Sequence, residues 1–196
     1  AVRTQLLEAG NTLTGQLRYA GAGIQTAQRE VDQRVGQAAF DANAVLQNLA
    51  QLNREIVVGD RAGRETNDLR DQRQQALGDL ARQLSIQVVE GANGEVNVYA
   101  ASGQGLLIGT DAATLTTELD PGHLGLDGNP LPRIGIVARD GSVISLAGDI
   151  GGTIGTLLEL RDGTLADNAA ALDLLATSLR DGVNTVQTDP AARDLD

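Results

Sequence analysis

The side chains of this sequence that could do chemistry concentrate in two short runs. The first is Asp120-Pro121-Gly122-His123-Leu124-Gly125-Leu126-Asp127-Gly128-Asn129-Pro130. It holds the only His beside two Asp and an Asn, residue types that ligate cations. The spacing lacks the alternating carboxylates of an EF-hand, and no Glu closes it. An ordinary Pro/Gly loop over 120–131 is therefore expected. The second run is Asn67-Asp68-Leu69-Arg70-Asp71-Gln72-Arg73, dense in alternating charge. Asp68 suits a helix N-terminus, and Asp71 can pair with an Arg at helical spacing. No base or nucleophile stands near it, so a solvated helix face with local ion pairs is expected.

Other routes to catalysis are closed by composition. The chain has no Cys, hence no disulfide framework, thiolate metal site or cysteine nucleophile. One His cannot build a His-based metal cluster. The carboxylates are scattered over helix faces, and no Ser lies in a nucleophile-elbow context. No catalytic, cofactor-binding or metal-binding residue is predicted, no cofactor is expected, and the chain does not read as an enzyme.

Something must nevertheless organise 196 residues with a net charge of -11 and a pI near 4.4. Such acidity disfavours nucleic acid or an anionic membrane as partner, because phosphate binding needs clustered positive charge. All 15 basic residues are Arg. Hydrophobic residues make up 41% of the chain, too many for a disordered segment. Aromatics make up only 2%, which points to elongated packing of helices and thin sheets rather than a thick core around a pocket. No apolar run approaches the roughly 20 residues that span a bilayer, and residues 1–10 lack the layout of a secretory signal. The absence of Met reads as a processed chain or a piece of a longer protein.

The elements follow from periodicity. From Val2 to Ile56 apolar residues recur every three or four positions, the helical period. A long helix over 1–58 is expected, with Gly21-Ala22-Gly23 as its weakest point. Its narrow apolar stripe needs cover, from a helical hairpin or bundle within the chain or from another subunit. A short helix is expected over 65–84, with cap candidates at Thr66-Asn67-Asp68. From Ser85 the period becomes two, giving a small antiparallel meander of about six strands over 85–147. Turns are expected at Ala92-Asn93-Gly94, Ser102-Gly103 and Arg139-Asp140-Gly141. A second long helix is expected over 152–188, with a possible bend at Arg161-Asp162-Gly163 and a stop at Asp189-Pro190. The class is α+β, mainly helical: an elongated bundle of long antiparallel helices with an inserted small antiparallel β meander.

Three stretches in this order carry a family resemblance. They are Leu46-Gln47-Asn48-Leu49-Ala50-Gln51-Leu52-Asn53-Arg54-Glu55-Ile56, then Asn67 to Arg73 with the Ile86-to-Val98 hairpin, then Leu157-Leu158-Glu159-Leu160-Arg161-Asp162 with Leu172 to Asn184. Together they resemble the flagellar hook-associated protein 1 family, FlgK. The resemblance implies that 1–196 is a middle rod domain, without the terminal helices and outer domain of that family. It implies a structural role in the bacterial flagellum, as a ring of subunits at the junction of hook and filament. It implies partners as well: copies of the same chain, hook protein, hook-associated protein 3 and a flagellar export chaperone. The location it implies is extracellular, after type III export, with neither nucleic acid nor membrane as partner. The competing readings are another axial protein, such as flagellin or hook-associated protein 3, and a secreted coiled-coil binding module.

Overall fold

The computed structural model describes residues 2–138, 141–146, 148 and 150–188. The expected turn at Arg139-Asp140 and the stop at Asp189-Pro190 lie outside the described residues.

The first helix, α1 (Val2–Arg61), is one unbroken element of 60 residues, about 90 Å long. The weak point at Gly21-Ala22-Gly23 does not break it. Each Gly costs up to about 1 kcal/mol against Ala, but a helix already nucleated on both sides propagates through it. Packing also helps, since a Cβ on Gly21 would lie 3.6 Å from the Leu172 side chain.

Helix α2 (Asn67–Gln83) turns back along α1 and buries Ala76, Leu77 and Leu80 against it. Thr66 precedes it, but the hydroxyl donates to Asp60 Oδ1 at 2.6 Å instead of capping the helix.

The β region differs from the expected single meander. It forms two sheets. One contains β1 (Ile86–Glu90), β2 (Val96–Ala100), β3 (Gly105–Ile108) and β4 (Asp111–Ala112), paired antiparallel in that order. The other contains β5 (Thr114–Leu124), β6 (Pro130–Val137) and β7 (Val143–Ser145). The separation has a visible cause. Asn43 of α1 donates to the Leu115 carbonyl at 2.8 Å and accepts from the Leu115 N–H at 2.7 Å. Its amide occupies the place of a neighbouring strand, and pairing stops there.

The expected loop over 120–131 is also corrected. Strand β5 continues to Leu124 and β6 begins at Pro130, so the turn is confined to 125–129. Asp120 pairs with Leu131 and Leu124 with Pro130, with an irregularity between. Pro121 falls within that irregularity on an edge strand, where a missing N–H breaks no ladder bond.

Gly151 and Gly152 lead into α3 (Gly152–Glu159) with φ near 60° at both. A Cβ on Gly152 would lie 2.7 Å from the Gln83 carbonyl, so only glycine fits this crossing. The chain then makes a π-helical turn, Leu160–Thr164, before α4 (Leu165–Thr188). The bend expected at Arg161-Asp162-Gly163 is thus a widened turn rather than a break. Arg161 lies beside Asp32 and Leu172 beside Gly21, so α4 runs antiparallel to the first half of α1.

The continuous core joins Val35 to Leu52 of α1, Ala76 to Leu84, Val96, Val98, Leu106, Leu107, Leu115, Ile134, Ile136, Leu146 and Ile154. It contains no aromatic side chain. Phe40, the only Phe, is 68% exposed.

Candidate interaction surface

The molecule divides into a head, where α2 and both sheets cover the second half of α1, and a two-helix arm of α4 on the first half, with the turn between β5 and β6 reaching Gln25 and Gln28 where the two meet. Each region holds one of the two charged runs or a buried Arg.

In the run from Asn67 to Arg73, Asn67, Asp68, Asp71 and Gln72 are exposed as on a solvated face, but the last residue is not. Arg73 is only 6% exposed. Its Nη1 donates to Asn53 Oδ1 at 3.2 Å and to the Gly94 carbonyl at 2.7 Å. Asn53, fully buried, accepts from the Val96 N–H at 3.1 Å and donates to the carbonyls of Val96 and Gly109 at 2.7 and 2.6 Å. Burial pulls the Arg73 guanidinium below its ordinary pKa, and the nearby Arg70 charge adds to this. Arg70 itself reaches Asp60 at 2.6 Å. Asp71 makes no ion pair with an Arg among the described residues. The direction of Arg73 follows from spacing: it lies three, four and seven residues before the buried Ala76, Leu77 and Leu80.

In the run 120–130 the carboxylates hold their own backbone. Asp120 Oδ1 accepts from the Gly122 N–H at 2.9 Å, and Asp127 Oδ1 from the Asn129 N–H at 3.0 Å. The Asn129 backbone bond holds Asp127 below the usual carboxylate range. Among the described residues no group of three or more His, Asp or Glu is placed to hold a metal ion. His123 lies apart, with Nε2 3.6 Å from Asp162 Oδ1.

Sequence reasoning missed Arg161, which is 1% exposed at the root of α4. Its Nη1 donates to Asp32 Oδ1 and to the Pro132 carbonyl, both at 2.7 Å. Its Nε and Nη2 grip both oxygens of Asp162, at 2.6 and 3.0 Å. Burial opposes its charge, but the bonds to Asp162 and Asp32 outweigh that and hold its pKa above the ordinary value. The available signal was Arg161's place in step with Ile154, Leu157 and Leu158.

The arm offers surface rather than a cavity. Leu6, Leu7, Leu13 and Tyr19 of α1 are exposed, Tyr19 at 84%. So are Leu174, Leu175, Val183 and Val186 of α4, with Leu174 at 68%. Apolar side chains at helical spacing on two neighbouring helices suit packing against another helix, not the binding of a small polar substrate. Among the described residues no helix is long and apolar enough to cross a membrane.

Comparison with known proteins gives this shape a family. The profile described as "Flagellar hook-associated protein FlgK helical domain" matches residues 1–193. Flagellar hook-associated protein 1 of Salmonella typhimurium (strain LT2) is 25% identical over 195 residues, covering 96% of this chain and 34% of that protein. Flagellar hook-associated protein 1 of Escherichia coli (strain K12) is 25% identical over 198 residues, covering 94% and 34%. The solved flagellar hook junction protein FlgK from Burkholderia pseudomallei superposes with a TM-score of 0.68 at 28% identity, over 77% of this chain and 27% of that one. The chain thus spans about a third of the length of the curated relatives it matches. With a match that runs from its first residue to within three of its last, the chain belongs to the FlgK helical domain family.

Proposed function

We propose that this chain is the rod of a flagellar hook-filament junction protein, acting by packing side by side with copies of itself in a ring between hook and filament. The observation that carries this reading is the family match over nearly the whole chain, joined to an arm whose apolar stripe is left open. The role is mechanical, and no bond is made or broken. The head supplies a stiff body, since its core is continuous from α1 through both sheets. The arm supplies lateral contacts, since each apolar side chain buried there contributes about 25 cal/mol per Å² of area removed from water. Hook protein on one side and hook-associated protein 3 on the other are the axial neighbours that the family implies, and the location is extracellular after export.

Single contacts of this kind are weak, and their effect accumulates in a closed ring. The isolated chain is therefore expected to be a monomer by light scattering at moderate concentration. Its net charge of -11 further opposes association before assembly. Deleting the full-length gene tests the reading. The expected phenotype is hooks without filaments, with filament protein released into the medium. Filaments still attached to hooks would overturn it.

A further inference from the structure

The contact of α4 with α1 is built differently from that of α2, which buries Ala76, Leu77 and Leu80. No side chain described in α4 is buried. The residues that face α1, namely Leu165, Ala169, Leu172 and Ala176, are only half-buried. Just before them the helix widens into the π turn at Leu160–Thr164. Such turns are uncommon, and they gather at functional positions because the extra residue is tolerated only where something is gained from it. Here the turn delivers Arg161 into a pocket formed by Asp32 of α1 and the Pro132 carbonyl of β6.

The surroundings of that pocket are polar. Gln28 of α1 donates to the Arg161 carbonyl at 3.4 Å and accepts from the Leu126 N–H at 2.9 Å. Gln25 donates to the Leu126 carbonyl at 3.2 Å. Val31 and Leu131 are buried here, but both lie outside the continuous core, which ends on α1 at Val35. Gly163 stands in the turn with nothing within 4 Å of where a Cβ would be, so the turn is held on its Arg161 side and open on its Gly163 side.

We propose that α4 is a hinged strap: the π turn is its hinge, and the bond from Arg161 to Asp32 is the latch that holds it along α1. Coulomb attraction is strong at this latch because Arg161 is removed from water. The apolar seam beyond it is thin and cannot by itself fix the helix. Losing the latch frees α4 to swing from α1 while the head keeps its fold, because the head's core takes nothing from α4. The inference is independent of the ring reading, since it concerns one copy of the chain.

The absence of Cys makes the test direct, because any introduced pair is unique. Gln16→Cys with Thr177→Cys, both exposed and matched by the register that sets Gly21 beside Leu172 and Asp32 beside Arg161, take spin labels. Gln47→Cys with Gln75→Cys report on the head. Pulsed dipolar spectroscopy on the otherwise unaltered chain is expected to give one narrow distance for each pair. Arg161→Met is expected to broaden and lengthen the arm distance at least two-fold in width, with the head distance unchanged. Arg161→Lys keeps the charge but not the fork, and should fall between. Asp32→Asn leaves Arg161 paired with Asp162 and provides a second variant should Arg161→Met fail to fold. A broadened arm with an intact head in either variant supports the latch. An unchanged arm distance in every variant that folds overturns it, as does loss of the head distance together with the arm distance.

Discussion

The two halves of α1 carry the same apolar repeat and meet different fates. From Val31 to Ile56 the repeat is buried under α2 and the sheets. From Leu6 to Leu13 it faces solvent, and at Leu17, Ile24 and Ala27 it is only half-covered by α4. Periodicity therefore specifies which face of a helix will pack, while coverage depends on partners that a local pattern does not contain. The covered half holds the continuous core. The open half is the surface that the proposed assembly would use.

Substitutions should separate the two halves sharply. The largest effect is expected in the head. Leu49→Ala removes a fully buried side chain and should cost about 2–5 kcal/mol in chemical denaturation. The matching change in the arm, Leu13→Ala, should stay within about 0.5 kcal/mol. Equal losses at both positions would break the comparison.

Next in size is Asn53→Ala. It removes the side-chain partner of the Val96 N–H and of two carbonyls, and leaves Arg73 with the Gly94 carbonyl alone. A loss of about 2–3 kcal/mol is expected by denaturant titration. No arm residue outside the latch should match it.

Glycine changes should differ in sign. Gly15→Ala and Gly23→Ala meet open space on the arm, and each should raise helix stability by up to about 1 kcal/mol, read as a higher melting midpoint in circular dichroism. Gly152→Ala, at positive φ against the Gln83 carbonyl, should lower it.

The smallest expected effect is that of acid on the hairpin tip. Asp127 is held below its ordinary pKa, so it binds a proton less readily folded than unfolded. Its contribution is present above the ordinary carboxylate value and is lost as pH falls through the depressed one. Asp127→Asn should flatten that acid limb slightly and leave the rest of the pH profile unchanged. A change confined to neutral pH would contradict the assignment.

Most of the frame was legible in the sequence. Helix periods of three and four gave α1, α2 and α4, and the shift to a period of two gave the strands. Three features were hidden for physical reasons. The run ending in Arg73 reads as a solvated face from its charge, and Arg161 reads only as part of a bend, although both Arg stand in step with apolar neighbours. The Pro and Gly between residues 120 and 131 suggested a loop, yet an edge strand tolerates Pro at an irregularity and carries on to Leu124. The division into two sheets depends on Asn43, seventy-two residues from the Leu115 it pairs with, and no local pattern reports such a contact. Gly21-Ala22-Gly23 misled in the opposite direction, because propensity yields to a long helix and a packed neighbour.

The most direct measurement separates folding from assembly in one protein. Leu13→Asp with Leu175→Asp places charge on the open faces of both arm helices, at positions exposed in the isolated chain. In the full-length protein the expected result is an unchanged melting curve together with hooks that fail to hold filaments. Filaments retained on hooks by a protein that folds and is exported normally would contradict the claim that the arm is the assembly surface.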